Sequence, residues 1–128
     1  FALMGISAAR MHHVTPRAVG VAVVAAPRRR KTIELTDRRA AVRFLVRDLE
    51  VMDLELMETD LGRCLVTTPE LTLLDLSHRA GQRGITEDVA AAMRALAPLC
   101  DPEELAVIAG RQRLGRALGR LRREGLVP

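Results

Sequence analysis

Between Val66 and Leu71 the hydrophobic period of this chain changes, and that switch constrains the fold more than any other feature. Before it, apolar residues alternate with polar ones or run continuously, as strands do; after it they recur at helical spacing. Val19 to Ala26 is a continuous run of small and β-branched residues, the pattern of a strand buried on both faces, and Pro27 ends it. Val42, Phe44 and Val46 alternate with Arg43 and Arg47, which predicts a strand burying the apolar set. Leu54 and Leu56 alternate with Asp53 and Glu55 in the same way, and Asp60-Leu61-Gly62 predicts a turn into Cys64-Leu65-Val66. Beyond the switch, Thr68 is placed to cap a helix, Pro69 suits its first position and Glu70 its positive end, so Leu71 to His78 is expected to be helical. Its leucines surround the helix, which marks it as the buried one. Gly81 to Gly84 reads as a loop. Thr86 caps a second helix with Val89, Met93 and Leu96 on one face, and Asp101-Pro102-Glu103-Glu104 opens a third. A last helix is expected from Arg111 to Glu124, with Gly125 placed to end it. At the other end of the chain, residues 2 to 14 predict a helix stopped at Thr15-Pro16. The expected architecture is α+β: an N-terminal helix and a small, mostly antiparallel sheet over residues 19 to 66, followed by a C-terminal helical half.

Length sets this as one domain over residues 1–128, long enough to bury a core without metal or disulfide staples. With two Phe and no Trp or Tyr, the chain lacks the stacking platforms of single-strand and RNA readers. Cys64 and Cys100 have no second Cys or His at ligand spacing, so neither a zinc site nor a disulfide framework is expected, and a reducing cytoplasm fits best. No membrane span or signal peptide is expected. Opening at Phe1 rather than Met, the chain reads as a fragment.

The formal charge is +4, and Lys31 is the single Lys among 20 basic residues. An Arg-rich chain suits phosphate and carboxylate partners, and reflects a GC-rich genome equally well. At about 100° per residue, Arg113, Arg116, Arg120 and Arg123 fall in one stripe of the last helix, with Leu114, Ala117, Leu118 and Leu121 mostly across from it. One reading is a ridge that contacts phosphate or an acidic protein; the other is a solvated face whose charges suit the helix C-terminus. Gly115 and Gly119, between the stripes, would let another backbone approach. A second cluster, Arg28, Arg29, Arg30 and Lys31, lies between expected strands, either as a loop reaching along a phosphate backbone or as a solvated hairpin loop. Residues 1 to 50 carry ten basic residues against four acids. Asp53, Glu55, Glu58 and Asp60 then reverse the sign, as the polar face and turn of a hairpin or as a docking edge.

Catalytic constellations are thin. Asp53 and Glu55 would share a strand face, but a metal nuclease also needs a nearby Lys or His, and Lys31 is distant. His12 and His13 are adjacent and point to different sides of a helix, so they are expected at a surface or interface. His78 has no acid and nucleophile to complete a triad, and Asp75, among leucines, reads as a satisfied structural acid. No Gly-rich phosphate loop is present. The chain is expected not to be an enzyme and to hold no cofactor.

The stretch Val66-Thr67-Thr68-Pro69-Glu70-Leu71-Thr72-Leu73-Leu74-Asp75-Leu76 resembles the C-terminal region of the AbiEi family, antitoxins and transcriptional autoregulators of type IV toxin–antitoxin systems. The order around it agrees: Ser7-Ala8-Ala9-Arg10-Met11-His12, the valines of residues 21 to 24, the basic loop, then Val42-Arg43-Phe44. Leu71 stands where the family often has Arg, and His13 where Gly is common. The resemblance implies a C-terminal domain that follows a winged-helix half, a nucleotidyltransferase-like toxin whose effect is counteracted without obligatory contact, and support for operator DNA binding. Arg113, Arg116, Arg120 and Arg123, then Arg28 to Lys31, are the residues expected to supply the contacts. The alternative is a generic basic DNA-binding or architectural module without antitoxin activity.

Overall fold

The computed structural model describes residues 1–14, 21–35, 40–59, 62–84 and 86–128. Its strands are β1 (Ala2–Leu3), β2 (Val21–Ala26), β3 (Ile33–Leu35), β4 (Ala40–Val46), β5 (Leu54–Thr59) and β6 (Gly62–Thr67). They form one sheet in the order β3-β4-β2-β1-β6-β5. Its pairs β1–β2, β3–β4 and β5–β6 are antiparallel, and β2–β4 and β1–β6 are parallel. The helices are α1 (Gly5–Met11), α2 (Pro69–Arg83), α3 (Glu87–Leu96), α4 (Pro102–Arg111) and α5 (Gly115–Arg123), so the expected α+β division holds.

The first departure from expectation lies at the N-terminus. Residues 2 and 3 are strand, because they fill the gap between β2 and β6: Ala2 pairs with Ala25, and Leu3 with both Val24 and Val66. Gly5, at φ +57, turns the chain out of the sheet and into α1, a conformation that costs glycine nothing. Where β1 ends, the amide of Val23 donates to Ser7 Oγ at 2.8 Å, so α1 satisfies a donor that the short strand leaves behind. α1 closes at His12 in a Schellman arrangement: His13, at φ 62, donates to Arg10 and Val14 donates to Ala9. Thr15 and Pro16, the expected stop, lie outside the described residues, as do Val19, Gly20, Asp60 and Leu61.

The caps foreseen in the helical half are made. Thr68 Oγ1 accepts from Leu71, Thr86 Oγ1 from Val89, and Asp101 Oδ1 from Glu103. α2 continues past His78 to Arg83, so Gly81 is helical and Gly84, at φ +80, is the residue that ends it. Leu71, Leu73, Leu74 and Leu76 are all buried, because α1, α3, α4, α5 and β6 contact α2 from around its circumference. Thr67 and Thr72 join the end of β6 to the first turn of α2 through a 2.7 Å hydroxyl pair. Ser77 donates to the Ala117 carbonyl at 2.9 Å and ties α2 to α5.

Strand β4 reverses the expected facing. Val23 and Arg43 are register partners, as are Val24 and Phe44, so each pair shares a face. Val23 belongs to a core cluster with Ala2, Met4 and Ala25 against which Leu45 packs, so Arg43 and Leu45 lie on the helix-covered face. Phe44 and Val46 lie on the other, and Val46 is 53% exposed. Alternation alone cannot tell which of two half-apolar faces a helix will cover.

Candidate cationic interface

The last helix starts at Gly115 rather than at the expected Arg111, because Arg111 is the final residue of α4 and residues 112–114 turn between the two helices. α4 ends in the same Schellman arrangement as α1: Gln112 is its cap residue, Arg113 donates to Gly110, and Leu114 donates to Ala109 at 2.8 Å. Arg113 takes the left-handed position at φ 57, so it lies in the turn and off the α5 stripe. The physical reason is that Leu114 becomes partly buried against the helical core and α5 then folds back along α2 and α4. Gln112 is held there as well, its amide donating to the Val51 carbonyl.

On α5, Ala117, Leu118 and Leu121 are buried and Arg116 and Arg123 are exposed, as the stripe predicted. Arg120 is half-buried because it lies over α2; a methyl group at Gly81 would sit 2.7 Å from one of its guanidinium nitrogens. Gly119 likewise lies under Arg123, whose guanidinium would be 3.3 Å from a methyl at that position. Among the described residues no ion pair holds Arg113, Arg116 or Arg123. Gly125, at φ +74, ends α5 where it was expected to.

Arg28, Arg29, Arg30 and Lys31 are all exposed in the segment between β2 and β3. That segment is not a hairpin, because β4 lies between β2 and β3 in the sheet. The Arg30 guanidinium stands 4.7 Å over the ring of Phe1, and Phe1 meets Phe44 edge-on at 6.0 Å. The loop thus belongs to the sheet layer and α5 to the helical layer, so the two Arg clusters are separate surfaces.

Most of the remaining polar candidates have structural partners. Asp53 receives a two-oxygen contact from Arg111, at 2.5 and 2.6 Å, which links the start of β5 to the end of α4. His12 is mostly buried, and its Nε2 donates to the Thr67 carbonyl at 2.7 Å. Burial pushes the Cys100 thiol up to about 12, with Glu70 beside it adding to the effect, and its Sγ donates to the Leu96 carbonyl. Burial also raises Glu70. Asp75 is not the satisfied acid that was expected: it is 6% exposed, its Oδ2 has no hydrogen-bond partner among the described residues, and burial lifts its pKa to about 7 against the opposing pull of Arg47 and Arg79. Among the described residues no group of three or more His, Cys, Asp or Glu is placed to hold a metal ion, and no helix is long and apolar enough to cross a membrane.

Fold and surface together define a two-layer α+β domain with arginines exposed on both layers. Residues 1–123 match the AbiEi antitoxin C-terminal domain, and the chain belongs to that family, whose role is regulatory and antitoxic. No curated protein matches it.

Proposed function

We propose that this domain counteracts a nucleotidyltransferase-like toxin and supports binding of operator DNA, with Arg116 and Arg123 of α5 as the principal contacts. Arg113 flanks them from the preceding turn, and Arg28, Arg29, Arg30 and Lys31 form a second binding surface on the sheet layer. Arg120 contributes less, because its guanidinium is engaged over Gly81 of α2. The observation that carries this reading is the pair of exposed guanidiniums, without ion-pair partners among the described residues, on a helix whose other side is fully packed. A rigid helix holds its cations at fixed spacing, which suits phosphates along a backbone or carboxylates on a protein.

The test has two readouts on the same variant. Replacing Arg116 and Arg123 by Gln should lower the slope of log affinity against log salt for operator DNA by about 2, at roughly 0.9 for each phosphate left unneutralised. Co-expression with a neighbouring nucleotidyltransferase-like gene should restore growth with the unmodified chain, and less so with the variant. Rescue without any change in the salt slope would move the DNA-binding surface elsewhere. DNA binding without rescue would leave a generic basic DNA-binding module.

A further inference from the structure

Between the helix-covered face of the sheet and the helices lies a cleft of about 350 Å³. Ile6, Val23, Leu76 and Val89 give it apolar walls from four different elements, and two cationic residues, Arg43 and Arg79, also line it. Its size falls in the range of small-molecule sites, which combine apolar walls with a few polar groups that orient the ligand.

The two arginines differ. Arg79 stands one helical turn beyond Asp75 on α2, and the buried Asp75 feels its charge. Arg43 is half-buried on the inner face of β4, and among the described residues no ion pair or hydrogen bond engages it. A partly desolvated guanidinium without a counter-charge is costly, and an anion seated beside it would offset that cost. Thr86, the cap of α3, also lines the cleft, so the positive end of a ten-residue helix adds to the field there. Glu87 and Asp88, the acids of that first turn, are exposed and are not among the lining residues.

We propose that this cleft binds a small amphiphilic anion, a carboxylate or phosphoryl head on a short apolar body, with Arg43 as the anchor of the head group. An inorganic anion would leave the walls formed by Ile6, Leu76 and Val89 wet, and a neutral apolar ligand would leave Arg43 uncompensated. Only a molecule with both parts satisfies both features. The site lies between the layers and does not involve the exposed arginines of α5, so it would act as an effector pocket independent of the proposed DNA and toxin surfaces.

Isothermal titration of the chain with octanoate, octyl phosphate, octanol and inorganic phosphate tests this directly. The expected result is saturation by octanoate or octyl phosphate at one per chain, with octanol and phosphate at least tenfold weaker, and the tighter of the two amphiphiles identifies the head group. Arg43→Gln should weaken binding on the order of tenfold to hundredfold, the range for loss of a charge-assisted hydrogen bond. Val89→Phe fills the cleft, leaves Arg43 in place and should abolish binding independently. The proposal is overturned if neither amphiphile saturates, if octanol binds as tightly as octanoate, or if either variant binds as the unmodified chain does.

Discussion

The two layers of this domain use similar apolar residues to different ends. In the helical layer, Leu71, Leu73 and Leu74 are at most 2% exposed, because four helices and a strand surround α2. On the outer face of the sheet, Ile33 and Val46, which share it with Phe44, remain 51% and 53% exposed. The lesson is that β-branched alternation announces a strand, while burial depends on whether anything is packed against that face.

That contrast is open to measurement. Leu74→Ala should cost about 2–5 kcal/mol in urea unfolding, the range for a truncated core leucine, whereas Val46→Ala should stay within about 0.5 kcal/mol. Comparable costs at the two positions would break the comparison and show the outer face to be covered in solution. Next in size is the buried acid. The folded pKa of Asp75, about 7, lies above its unfolded value of 3.8, so between those limits the folded chain holds the extra proton. Stability should therefore fall as pH rises from about 4 to 7 and level off above, a loss on the order of a few kcal/mol. Asp75→Asn should remove most of that slope; an unchanged pH profile for the variant would assign the slope to another group.

Smaller effects sharpen the picture of the helix ends. Arg113 and His13 are left-handed without being glycine, so Arg113→Gly and His13→Gly should each stabilise by about 1 kcal/mol. The first variant also separates fold from function, since it improves the turn while removing an exposed cation. A loss of stability on either exchange would mean that the side chain makes contacts worth more than the strain. Smallest is the tie between layers: Asp53→Asn should cost less than about 1 kcal/mol and become neutral at high salt, because both Asp53 and Arg111 are partly exposed.

Much of the helical half was legible because its signals are local. Thr68, Thr86 and Asp101 cap amides two or three residues onward, and such bonds need no distant partner. Gly125 marks the left-handed closure of α5 in the same local way. The closure at Arg113 carried no such mark, so the 100° spacing of the arginines ran through a turn that the structure places there. The facing of Arg43 was hidden for a related reason, since its strand alternates in a way that permits either side to be covered.

From its sequence alone this chain determined its α+β division, its helix caps and the burial of the Leu-rich helix. Each follows from interactions between residues a few positions apart or from the density of apolar side chains. Tertiary structure decided that Ala2 and Leu3 would be a strand, that Arg43 would face a cleft, that Arg120 would lie over Gly81 and that one oxygen of Asp75 would be buried without a hydrogen-bond partner among the described residues. Those outcomes depend on groups brought together from segments tens of residues apart, and no local period encodes which distant segment arrives.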